Sequence, residues 1–144
     1  MTIFEQNPGA TRQSLRLARI WYALGALMLL VVAILSLLPL PDTGVSDKLA
    51  HLLTYFLLAG WFAVIARNRV ILGWSLTGLI GYGMLIELLQ AQTGYRYAEW
   101  ADVVANTAGC AGGSMLYFTP LKPLFYWLDG RLAAQLARIS HRRS

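Results

Sequence analysis

Asp47 and His51 stand four residues apart, Glu87 and Gln90 three apart, and Asp102 and Asn106 four apart. In a helix, spacings of three and four put both members of a pair on one face. Each pair falls at one end of a largely apolar segment, and Lys48 and Arg96 lie close by in the chain. These residue types suit three chemistries. Lys48, Arg96 and protonated His51 can meet a phosphate, Arg96 best of all through its fork of donors. The acidic residues can orient those cations or hold a sugar hydroxyl. Glu87 and His51 can instead form an acid/base pair, which makes them the candidate catalytic residues. Asp47, His51, Glu87 and Asp102 can also hold a divalent cation between the protein and a lipid pyrophosphate. The sequence carries no nucleophile motif, P-loop or HExxH, so enzyme status is left open, and neither a resident metal nor a cofactor is expected.

The elements that must position these groups are membrane helices. Of 144 residues, 57% are hydrophobic and 13% charged, against about 25% charged in an ordinary soluble domain. The mean hydropathy is +0.52. This composition excludes a disordered chain, one Cys in the whole sequence excludes a disulfide scaffold, and both argue against a soluble enzyme. A bilayer core of about 30 Å takes roughly 20 apolar residues per helix. Four segments approach that length: 20–38, 46–66, 70–90 and a shorter one, rich in small residues, at 102–118. The fold class expected is all-α, a four-helix transmembrane bundle. It divides into a cytoplasmic basic N-terminal segment (1–19), the four-span domain (20–118) and a cytoplasmic amphipathic tail (119–144). The first span is too long for a signal-peptide core and no A-x-A-like site follows it, so it is read as an uncleaved helix.

Charge placement gives the orientation. Arg12, Arg16, Arg19, Arg67, Arg69, Lys122, Arg131, Arg138, Arg142 and Arg143 fall on one side of the alternating spans, with Glu5 and Asp129. Lys48 and Arg96 fall on the other, with Asp42, Asp47, Glu87, Glu99 and Asp102. Basic residues mark the cytoplasmic side, so both termini are expected in the cytoplasm and the three polar pairs outside. The net charge of +5 is thus a topological signal. No Lys/Arg run is interleaved with aromatics as a nucleic-acid surface would need, and no nucleic-acid partner is expected.

Small residues suggest the helix contacts. Gly73, Thr77 and Gly81 form one four-residue stripe, and Ala105, Gly109 and Gly113 another. The two stripes are expected to meet each other, while Gly109 and Gly113, a GxxxG, also offer a homo-oligomer contact. Past Pro120, Leu121, Phe125, Leu128, Leu132, Leu136 and Ile139 mark one face of an amphipathic helix suited to the inner leaflet. Membrane lipids are the expected partners of this tail and of the arginine stripe before the first span.

Glu87 sits about one turn inside its apolar run, where an unpaired carboxylate costs several kcal/mol. Arg96, His51 or Lys48 is expected to compensate it. Asp47 and Asp102 stand at helix starts, where the helix dipole favours them. Asp47-Lys48-x-x-His51 with Tyr55-Phe56, Glu87-Leu88-x-Gln90, Arg96, and Asp102-x-x-x-Asn106-x-x-Gly109 resemble, in order and spacing, the VanZ-like membrane protein family. The resemblance runs from about Leu35 to Leu116. It implies a multi-pass protein of the bacterial cytoplasmic membrane acting in the cell envelope, in a family whose namesake contributes to teicoplanin (glycopeptide) antibiotic resistance.

Three readings of the cluster follow. In the first, Asp47, Lys48, His51, Glu87, Gln90, Arg96, Asp102 and Asn106 bind the head group of a lipid-linked cell-wall or polysaccharide precursor. In the second, the same site is a membrane enzyme acting on a lipid-linked sugar or phosphate. In the third, Glu87–Arg96 and Asp102–His51 pairs only fasten the helices, although interhelical polar contacts average just about 0.6 kcal/mol. A transporter ranks below these, since no polar path crosses the mid-membrane positions.

Overall fold

The structure, a computed structural model, describes residues 14–39, 46–94 and 99–141. All regular structure among them is helical: α1 Ala18–Leu37, α2 Asp47–Ile65, α3 Arg69–Gln90, α4 Trp100–Ser114, a 3-10 turn Met115–Phe118, and α5 Leu121–His141. The first three helices lie within two residues of the apolar runs read from the sequence. Asn68 starts α3 by accepting a hydrogen bond from the Ile71 amide at 2.9 Å, a side-chain N-cap. Pro39 stands two residues past the end of α1, where a missing N–H harms no helical bond.

α1, α2 and α3 are long and apolar enough to cross a membrane. α1 buries almost nothing inside the protein; Leu27, Leu30 and Ile34 are each more than half exposed. Apolar surface on that scale needs a solvent other than water, and a 20-residue helix reaches about 30 Å, the thickness of a bilayer core. α4 differs from expectation. Its α-helical part has only 15 residues and by itself reaches only about 22 Å. The chain then tightens into the 3-10 turn, which adds about 8 Å.

α2 is the centre of the packing. It lies against α4 along its whole length and touches α1, α3 and α5. Gly109 and Gly113 cause this closeness: a methyl group on either would collide with the α2 backbone, at the carbonyls of Leu52 and Phe56 respectively. The expected meeting of the α3 and α4 stripes is therefore not found. Gly73 and Gly81 have open space where a side chain would project, and α3 instead brings Gly83 against Tyr55 of α2 and Asn106 of α4. The cause is arithmetic along α3, because a shift of two residues from Gly81 to Gly83 turns about 200° to the opposite face. Gly109 and Gly113 are covered within the chain, so contact between copies through them would require α2 to move away. Tyr55, Leu58, Ala59, Leu79 and Cys110 form the core between α2, α3 and α4.

The tail forms the expected helix, α5, and leaves Leu128, Leu132, Leu136 and Ile139 exposed. Phe125 reaches inward to Trp21 and Trp61, with ring centroids 4.8 and 5.9 Å away. Asp129 does more. Its Oδ2 accepts from the Arg16 amide at 2.6 Å, and its Oδ1 accepts from the Leu17 amide at 2.9 Å and from Trp21 Nε1 at 2.8 Å. Amides at the start of a helix have no partner within it, so α5 supplies the cap that α1 lacks. The carboxylate is 1% exposed. Burial pushes its pKa up, but the Trp21, Arg16 and Leu17 donors and the Arg16 charge outweigh burial and hold it below the usual carboxylate range.

Candidate functional site

The end of the bundle remote from α5 holds the polar residues. α2 begins there, so its first turns present Asp47, Lys48 and His51; α3 ends there with Glu87 and Gln90; α4 begins there with Asp102 and Asn106. Short antiparallel connections bring these three helix ends to one level, as the sequence spacing requires. Glu87, Gln90, Asp102 and Asn106 are all at most 4% exposed.

His51 is the hub. Its Nδ1 lies 3.1 Å from Asn106 Oδ1 and 3.7 Å from Glu87 Oε1, and its Nε2 lies 3.9 Å from Asp47 Oδ1. Nε2 points away from Asn106, towards Asp47. Lys48 Nζ donates to Glu99 Oε2 at 2.8 Å and stands 3.8 Å from Asp102 Oδ1. One ring nitrogen of His51 and one oxygen each from Asp47 and Asp102 lie within 4.8 Å of one another.

Three buried polar atoms in this region make no hydrogen bond among the described residues: Asp102 Oδ1, Asn106 Nδ2 and the Tyr55 hydroxyl. Asn106 Nδ2 and the Tyr55 hydroxyl both face Gly83, each 3.1 Å from where its Cβ would be. Glycine there leaves room for two polar groups that any side chain would crowd. Leaving such groups without a partner costs about 1–3 kcal/mol each, which is the usual mark of a place where something else binds.

The sequence reading and the geometry differ at several residues. Gln90 shares the helix face of Glu87, yet its amide reaches α1 and donates to the Ser36 carbonyl at 2.8 Å. It ties down the end of α1, whose last carbonyls have no partners of their own. Glu87 is faced by His51, one of the three partners expected for it, and Asp102 lies 3.8 Å from Lys48 with one oxygen within 4.8 Å of a His51 ring nitrogen. Arg96, and with it the expected Glu87–Arg96 pair, lies outside the described residues. Glu99 and Tyr55 belong to the site although spacing did not single them out. Glu99 could have been found as the residue three before Asp102, which puts it on the same side of the first turn of α4. Asp129 could have been found too, since it falls between Phe125 and Leu132 at steps of four and three, on the face that packs inward.

Comparison with curated proteins and with solved structures finds no match. A family-level comparison does. The VanZ/LLP1 family profile matches residues 4–125, a longer stretch than the motifs alone span, taking in all of α1 and the first turn of α5. The polar ends of α2, α3 and α4 lie well inside that match, and the chain belongs to the VanZ/LLP1 family.

Proposed function

We propose that this protein is a four-span membrane protein of the bacterial inner membrane whose outward-facing polar pocket recognises the head group of a lipid-linked envelope precursor. One observation carries the reading. At the polar ends of α2, α3 and α4, the buried Asp102 Oδ1, Asn106 Nδ2 and Tyr55 hydroxyl make no hydrogen bond among the described residues. A phosphate or sugar head group supplies acceptors and hydroxyls for such atoms. Lys48 brings a half-exposed ammonium to this end of the bundle, and Arg96, six residues after Gln90 in the sequence, is the second cation the reading calls on.

The orientation follows from charge. Arg16, Arg67, Arg69, Lys122, Arg131 and Arg138 belong to the end opposite the pocket, where α5 packs on the start of α1. Lys122 Nζ stands 3.4 Å from the centre of the Tyr117 ring, an arrangement suited to a membrane interface. The positive-inside rule then puts both termini and α5 in the cytoplasm and the pocket outside. In this topology α4 with its 3-10 turn is the fourth span, about 30 Å in all.

Binding of a fluorescent lipid-linked disaccharide pyrophosphate to protein in nanodiscs tests the reading. Lys48→Ala and Arg96→Ala are expected to weaken binding at least tenfold together, and unchanged affinity would overturn it. A role in glycopeptide resistance is tested by a deletion strain complemented with the same variants and challenged with teicoplanin. Catalysis at the pocket is a second reading, favoured by the 3.7 Å approach of His51 to Glu87. It requires turnover of the same lipid that Glu87→Gln abolishes.

A further inference from the structure

The pocket contains a set of metal donors distinct from its phosphate-facing cations. We propose that Asp47, His51 and Asp102 form a binding site for a divalent transition cation, with Zn2+ as the best match. This deepens the head-group reading and rests on the same pocket.

The donors come from two helices. Asp47 and His51 lie one turn apart on α2, and Asp102 enters from the first turn of α4. One atom of each lies within 4.8 Å of the other two. A zinc ion bonded to nitrogen and oxygen at about 2.0–2.2 Å draws its ligands to about 3.3 Å from one another. The adjustment, up to about 1.5 Å, comes from side-chain rotation, most freely at Asp47, whose side chain is 48% exposed at the start of α2.

Three features point to a metal beyond the proximity of carboxylates. The first is the state of His51. Its Nδ1 is engaged by Asn106 Oδ1 at 3.1 Å with Glu87 at 3.7 Å, and its Nε2 faces Asp47 Oδ1 at 3.9 Å. A ligating histidine almost always gives its other ring N–H to a carboxylate or carbonyl in this way. Asn106 and Glu87 thus hold the ring, and Glu87 is not itself a ligand. The second is Asp102, whose side chain is 5% exposed and whose Oδ1 makes no hydrogen bond among the described residues. A buried carboxylate oxygen left in that state is a ready anionic ligand. The third is the donor chemistry. One imidazole with two carboxylates favours zinc and its neighbours over calcium or magnesium, which take all-oxygen shells.

Three protein ligands leave a coordination position for water or a substrate oxygen. That position lies on the exposed side, where a head-group phosphate would arrive. The groups facing the cation are Asp47, Asp102 and Glu87 as anions and Lys48 as the competing cation, with Glu99 holding Lys48 at 2.8 Å. Lys48 can keep Glu99 while giving up Asp102, so the ion and the ammonium need not exclude each other.

The test uses untagged full-length protein in neutral detergent, titrated with Zn2+ by calorimetry and with Co2+ by visible absorption, without any lipid. One ion per chain is expected, removable by EDTA, with a cobalt spectrum of four- or five-coordinate type. Asp47→Asn and His51→Gln should weaken binding more than the 10–100-fold typical of a supporting residue, and Asn106→Ala by about that 10–100-fold. Lys48→Met should tighten binding, an effect that a purely structural role would not give. His141→Ala, which removes the one other histidine in the chain, should change nothing. Absence of saturable binding, or equal binding by wild type, Asp47→Asn and His51→Gln, overturns the site. Should Asp102→Asn fail to fold, Asp47→Asn and Lys48→Met still decide. Lipid binding measured in EDTA separates the two ideas: if zinc does not bind but lipid does, only the metal site falls, and the converse result removes only the head-group reading.

Discussion

Removing the Asp129 carboxylate should weaken the whole α5 end of the bundle, since one side chain there caps a helix belonging to another part of the chain. Its two oxygens accept three hydrogen bonds of 2.6–2.9 Å from Arg16, Leu17 and Trp21. Hydrogen bonds to a charged group contribute about 1.5–3 kcal/mol each. They share one acceptor group and part of the effect is replaced by water, so Asp129→Ala should cost about 3–5 kcal/mol in total. Asp129→Asn keeps one oxygen for Leu17 and Trp21 but presents an amide to the Arg16 N–H. It should cost about 1.5–3 kcal/mol. The pH dependence has a definite sign. The folded pKa lies below the ordinary 3.8, so the stabilisation is fully present above the unfolded value and is lost as pH falls through the folded one. The difference between wild type and Asp129→Asn should therefore be constant near neutrality and close only below about pH 3.8. Thermal unfolding in detergent, followed by circular dichroism from pH 7 to pH 3, measures this. Equal midpoints at pH 7, or a gap that widens on acidification, would mean that the carboxylate does not cap α1.

Four further outcomes are expected. Gly113→Ala should lower stability by about 1–3 kcal/mol because its methyl would press on the α2 backbone. Gly81→Ala, which meets nothing within 4 Å, should be neutral or stabilising by up to about 1 kcal/mol, and the two melting curves compare them directly. Tyr82→Phe removes a 2.6 Å bond to the Leu29 carbonyl and should cost about 0.6 kcal/mol, at most about 1.7 kcal/mol, read as a small shift in unfolding midpoint. Glu99→Gln breaks a half-exposed pair with Lys48 and should change stability by no more than about 1 kcal/mol, while releasing Lys48 and so altering lipid or zinc affinity.

Much of the fold was legible in one dimension. The apolar runs at 20–38, 46–66 and 70–90 became α1, α2 and α3 with ends shifted by one or two residues. The step pattern from Leu121 to Ile139 became α5. Of the pairs at spacings of three and four, Asp47 and His51 stand 3.9 Å apart, while Asn106 meets His51 of the neighbouring helix at 3.1 Å. The fourth apolar run was read as one regular helix, whereas the chain changes to 3-10 at Met115. Composition could not reveal this, because Met115–Phe118 is as apolar as the helix before it. Gln90 reaches further than its spacing indicates: its side chain is long enough to leave the face it starts from and donate to the Ser36 carbonyl.

The set of helices, their alternating direction and the gathering of polar residues at one end are written in the chain. They follow from hydropathy, loop length and the 3.6-residue period, all local properties. Which helix meets which was left to the tertiary structure. Close approach depends on where the small residues of two helices coincide in space, and Gly109 and Gly113 found α2 while Gly73 and Gly81 found no neighbour. It also decided that Asp129 caps a helix more than a hundred residues earlier in the chain, and that His51 turns one nitrogen to Asn106 and the other to Asp47. A side chain's partners are fixed by packing in three dimensions, and spacing along one helix specifies only the face from which the search begins.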